Sequence, residues 1–361
     1  MREYYCRFDS AQNEGAIVKR ADVIRNSITR PPLLYNKNGD KKIVLAYDPA
    51  RSTDNSILSV GVLYEDPIKG WMMDVSNCVS FVDLGLKKKT PMMTQDQIRE
   101  IRKLLLDYNG DAADYDSIEI FMADAGSGGG GNSWVRDSLI EDWQDKHGQT
   151  HPGLIDRGYS PEYARRYPNA INKLKLIEPA KHKSEMFEAL IKMIEGGYIT
   201  FTENYDGKGY LSILDVDQKA YQKNRKKLEE KYAKMELSIE ELESKIAVDM
   251  DKMDLGKVKV YNLSPEEEAA LGQIDLMKEE LINAVRVKRD SGKDAFKISP
   301  EKNADTGGAL HDDRLYTLAM LGWYLSLKRV EHIRKKKNTT GNQNLLNVLT
   351  FRKPKGISGL L

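Results

Sequence analysis

Two short apolar runs, each closed by an aspartate, constrain the fold of this chain more than any other feature. Ile43–Ala46 runs into Tyr47-Asp48-Pro49, and Ser117–Ala123 (SIEIFMA) runs into Asp124. Apolar runs this short, bounded by turn residues, read as buried strands. A carboxylate at the end of such a strand is costly unless it reaches solvent, a cation or hydrogen-bond donors. In an open α/β sheet, ligands bind at the ends of adjacent parallel strands. If these two strands pair in parallel, Asp48 and Asp124 stand together. Crowded carboxylates repel one another, and a divalent cation relieves the repulsion.

The remaining sequence supplies partners for such a sheet. Ser56–Tyr64 and Trp71–Leu84, separated by Pro67 and Gly70, read as strands of an antiparallel meander. Thr94–Tyr108 carries Ile98, Ile101 and Leu105 on one helical face, with Thr94 as N-cap. A glycine-rich GSGGGGN follows Asp124, then a helix over about Ser133–Lys146. Leu174–Ile177 is a fifth strand, and Ser184–Glu195 a helix stopped by Gly196-Gly197. The expectation is an α/β fold, a mixed five-stranded sheet flanked by helices. Residues 1–40, with Arg30-Pro31-Pro32, read as a lead-in rather than a domain.

The stretch 217–290 differs in kind. Leu228, Tyr232, Met235, Ile239, Leu242, Ile246 and Met250 form a narrow seam on a charged helix. Ser264-Pro265-Glu266-Glu267 starts another helix, which carries Leu271, Ile274, Met277, Leu281 and Val285. The two helices are expected to fold back as a helical hairpin inserted into the main domain. The final helix, Leu310–Lys328, has His311, Asp312 and Asp313 in its opening turn.

Composition narrows the class. Net charge is +1, but from Lys328 to Lys355 there are nine basic residues against the single acid Glu331. A basic tail over 331–361 is compatible with phosphate binding, and equally with a solvated end. Two cysteines, Cys6 and Cys78, cannot build a disulfide framework or a zinc cluster, and they fit a reducing, intracellular compartment. No run of 18 apolar residues and no signal-peptide pattern is present, so neither a membrane span nor secretion is expected.

A third carboxylate from the last helix would complete an all-oxygen site for Mg²⁺ or Mn²⁺. Two such ions suit in-line hydrolysis of a phosphodiester. Each acid alone has an ordinary explanation: Asp48 as a turn residue before Pro49, Asp124 as an Asx-turn residue, Asp312 or Asp313 as acids favoured at a helix start. The order strand end, strand end, helix start is what sets them apart.

That order, within β-β-β-α-β-α-β-α, resembles the ribonuclease H-like superfamily. More closely, YDPARSTDNS, FMADAG and LHDDRLYTLA resemble motifs of the nuclease domain of tailed-phage (viral) terminase large subunits. The resemblance spans about 40–330, excluding the inserted hairpin. It implies a metal-dependent endonuclease cutting concatemeric viral DNA during packaging in the host cytoplasm. It assigns Asp48, Asp124 and Asp313 as catalytic acids, with Asp312 as alternative or supporting ligand in a two-metal site. Asp54 matches an auxiliary acid of some members, and His311 lies beside the acids. Gly128 and Gly129 in the glycine loop, with Lys181 and Lys183, are candidate DNA contacts. Double-stranded DNA, the portal protein, the small terminase subunit and the terminase ATPase domain are the implied partners. A GxxxxGK[ST] phosphate loop is absent, so the motor half is not expected here. Competing readings are a junction resolvase or recombinase-like nuclease, an actin-like or sugar-kinase ATPase, and a non-catalytic DNA-packaging adaptor.

Overall fold

A computed structural model describes residues 15–49, 56–83, 90–110, 114–126, 133–159, 161–216, 218–232, 235, 239–251, 256–288, 294–298 and 312–340. Its centre is a seven-stranded mixed sheet. The strands are β1 (Ser27–Ile28), β2 (Lys42–Asp48), β3 (Ile57–Asp66), β4 (Gly70–Ser80), β5 (Ile118–Asp124), β6 (Leu174–Ile177) and β7 (Ile199–Thr202). They lie in the order β1-β7-β4-β3-β2-β5-β6, and only β3 runs against the rest. The five expected strands occupy one continuous block. β1 and β7 extend it at the β4 edge, so part of the expected lead-in belongs to the sheet.

Helices cover both faces, which is why β2 is apolar at every position from Ile43 to Tyr47. Ile43, Leu45 and Tyr47 pack with Phe121 and with Ile98, Ile101 and Leu105 of α1 (Thr94–Asn109). Val44 and Ala46 face the opposite layer. That layer is α2 (Pro179–Glu195), α5 (Pro265–Ile282) and α6 (Asp313–Thr340). A strand between two helical layers has no polar face to show.

Between these elements, β8 (Tyr210–Val216) pairs with β9 (Gly256–Asn262), and α3 (Gln218–Tyr232) and α4 (Ile239–Asp251) lie in the intervening sequence. Leu228, Tyr232, Ile246 and Met250 form the hairpin's own apolar cluster. The helical pair is therefore α3 with α4. α5, expected as the second arm, instead buries Ala270, Leu271, Ile274, Met277 and Leu281, the last three in the main core. The difference is one of width: a narrow seam serves one partner helix, whereas a broad apolar face serves a sheet. A further ribbon, β10 (Ala284–Lys288) with β11 (Asp294–Ile298), follows α5.

Two helix boundaries differ from the reading of the sequence. The helix after the glycine loop spans only Ser133–Leu139, because the Leu154 amide takes the Leu139 carbonyl at 2.7 Å. α2 starts earlier than expected, at Pro179. Among the described residues no helix is long and apolar enough to cross a membrane.

Candidate active site

Parallel pairing of β2 with β5 brings the two strand-end aspartates together. The register sets Ala46 against Met122 and Tyr47 against Ala123, so Asp48 and Asp124 follow at the same end of neighbouring strands. β6 adds Ile177 opposite Asp124. Asp124 is buried and accepts a hydrogen bond from the Gly126 amide, closing an Asx turn. Asp48 is half-buried.

The third element is the N-terminus of α6, which lies over β2, β3 and β4. Asp313 is its first residue and is buried, where the helix dipole favours a negative charge. Asp312 precedes it with its side chain 46% exposed. α6 is seated by a hydrogen bond between the Ser59 and Thr317 hydroxyls, 2.6 Å apart. It also approaches α2 closely at Gly322, where an added Cβ would lie 3.0 Å from the Leu190 Cα. That approach brings Lys183 of α2 to the acids: its Nζ is 3.4 Å from Asp312 Oδ2.

The electrostatics register the crowding. Desolvation holds the Asp48 carboxyl well above the usual carboxylate range, and Asp124, Asp313 and Asp312 push it the same way; Lys183 opposes them. Asp124 is also raised by desolvation, against the Gly126 amide and Lys183. Tyr316, one turn into α6, has its phenol raised by desolvation and then by Asp124, Asp48 and Asp312. Among the described residues its buried hydroxyl has no hydrogen-bond partner, and Lys183 Nζ lies 5.4 Å from its ring centre.

Among the described residues the donor set is carboxylate oxygen, with Lys183 beside it, a chemistry that suits a hard divalent cation rather than softer ions. Among the described residues, no three Asp, Glu, His or Cys side chains stand close enough to enclose an ion as placed. The acids converge without forming a closed shell.

The expected site residues therefore separate clearly. Asp48, Asp124, Asp312, Asp313 and Lys183 come together. Lys181 instead forms an exposed ion pair with Glu178, at 2.8 Å. Asp54, His311, Gly128 and Gly129 lie outside the described residues. Tyr316 was not expected at the site from the sequence, nor was Arg314 with its partners Glu280 and Gln273 on α5. Arg314 adjoins the Asp312–Asp313 pair in sequence, but nothing local marks Glu280 or Gln273 as its neighbours.

No family model and no curated protein sequence matches this chain. Among solved structures, it is similar to the large terminase nuclease from thermophilic phage G20c, at 12% identity over 85% of this chain and 96% of that one, with a TM-score of 0.38. The Thermus phage P74-26 large terminase nuclease domain is 12% identical over 82% of this chain and 90% of its own, with a TM-score of 0.34. The human cytomegalovirus terminase nuclease domain is 11% identical over 52% of this chain and 76% of its own, with a TM-score of 0.27.

Proposed function

We propose that this chain is a Mg²⁺- or Mn²⁺-dependent DNA endonuclease, the nuclease part of a viral terminase large subunit, cutting concatemeric DNA during packaging. The observation that carries this reading is the convergence of Asp48, Asp124 and Asp313 from two strand ends and a helix start, with Asp48 driven out of the usual carboxylate range. Asp313 is taken as the direct third ligand because it is buried. Asp312, half-exposed and paired with Lys183, supports from outside. Bound metal would activate water and stabilise the leaving oxygen of a phosphodiester. The chain's own task is to hold the acids and to meet the DNA backbone.

Lys183, whose ammonium lies beside the acids, is the residue this reading assigns to that contact. Backbone contacts of this type carry no base information, so cutting is expected to show little sequence preference. The portal protein, a small terminase subunit and a terminase ATPase domain are the partners this reading implies.

The test is incubation with supercoiled plasmid and MnCl₂. Asp48→Ala and Asp124→Ala each remove several kcal/mol of transition-state stabilisation, so cleavage should fall by roughly a hundredfold or more. Cleavage unchanged in both variants would sink the site. The competing reading is a non-catalytic DNA-packaging adaptor. That alternative is supported if the wild-type protein binds DNA but never cuts it in Mn²⁺ or Mg²⁺.

A further inference from the structure

Arg314 directly follows Asp313, and its guanidinium is held by α5. Nη1 donates to Glu280 Oε1 at 2.7 Å, while Nε and Nη2 donate to Gln273 Oε1 at 2.9 and 2.8 Å. The second carboxylate oxygen of Glu280 accepts the Leu315 backbone amide at 2.9 Å. Gln273 and Glu280 are seven residues apart, two turns along one face of α5, so one helix face presents both acceptors. Arg314 and Glu280 are buried.

This arrangement is unusual in what it satisfies. The first amides of a helix have no partner within the helix and are ordinarily capped by a neighbouring side chain in sequence. Here the Leu315 amide is capped by a carboxylate 35 positions away. A buried ion pair is poor value for stability alone, since desolvation offsets most of its attraction. Its consequence is geometric: it pins residues 314 and 315, immediately after Asp313, against a helix packed in the core.

We propose that Glu280 and Gln273 are positioning residues, which hold the first turn of α6 through Arg314 and the Leu315 amide so that Asp313 faces Asp48 and Asp124. The inference rests on the reading of Asp313 as a site carboxylate, and extends it to a helix that carries none of the acids. Loss of partners that orient metal-binding side chains typically weakens metal binding by about ten- to a hundredfold.

The test uses Glu280→Met with Arg314→Met, a pair of similar volume chosen because apolar replacement of a buried ion pair is often tolerated. Arg314→Lys, which keeps the charge but loses the fork, serves as a milder second variant. Two measurements are made on the full chain. Amide hydrogen exchange of residues 313–317 in metal-free protein should quicken by roughly tenfold or more in the double variant. The Mn²⁺ concentration for half-maximal binding, followed by titration calorimetry, should rise about ten- to a hundredfold, with Arg314→Lys in between. Unchanged exchange overturns the clamp. Faster exchange with unchanged Mn²⁺ affinity overturns the positioning role. If wild-type protein binds no Mn²⁺, the nuclease reading and the positioning of a metal ligand fall together, whereas failure of the inference alone leaves wild-type Mn²⁺ binding and cutting intact. If the double variant does not fold, Arg314→Lys carries both measurements.

Discussion

Glu119 shows how one half-buried charge can be worth keeping. It sits on β5, where burial pushes its carboxyl up, but Lys328 and the Tyr324 hydroxyl, bonded to it from α6, more than offset this and leave it below its ordinary value of 4.5. A carboxylate lowered on folding contributes stability above its unfolded value, and that contribution disappears as pH falls through the folded value. Glu119→Gln is therefore expected to cost about 1–2 kcal/mol at pH 7. The deficit should shrink as pH drops below about 4.5, as urea unfolding at pH 7, 4 and 3 would show. At this scale the strand-end aspartates were legible, because a charge placed directly after an apolar run is a local anomaly. Lys183 meeting Asp312 was not, since 129 positions separate them.

Helix contacts decide what happens at the next scale. Gly322 lets α6 pass so close to α2 that a Cβ would also lie 3.0 Å from Leu190 Cδ1. Gly322→Ala should cost about 1–3 kcal/mol by overpacking, and should loosen the contact that brings Lys183 to Asp312. Gly272, inside α5, has nothing within 4 Å of the place a Cβ would take. Gly272→Ala should therefore stabilise by about 0.5–1 kcal/mol through helix propensity. Thermal unfolding of both variants checks the pair; equal effects of the same sign would contradict the packing argument. The strands and α1 followed from apolar runs and periodicity. The early stop at Leu139 did not, because the Leu154 amide that takes its carbonyl arrives from a distant loop.

For the molecule as a whole, Leu228, Tyr232, Ile246 and Met250 form a cluster separate from the main core, so the α3–α4 hairpin is expected to be dispensable for folding. Val216 and Gly256 are paired neighbours, so a short turn can replace 217–255. The shortened protein should keep its melting temperature within a few degrees. Deleting the whole of 217–290 should instead prevent folding. It removes Ile274, Met277 and Leu281 from the main core, each worth about 2–5 kcal/mol, and with them the Arg314 clamp. Circular dichroism melts of the two deletions separate these outcomes. The sequence alone determined the sheet's five central strands, the positions of Asp48 and Asp124 on it, and the amphipathic helices, because these depend on short-range periodicity and local charge. Tertiary structure decided which helix belongs to the hairpin and which to the core, and that Asp313 rather than Asp312 is buried. It also decided that a carboxylate from α5 holds the start of α6. Those outcomes depend on which apolar faces meet across long loops, and neighbouring residues do not encode that.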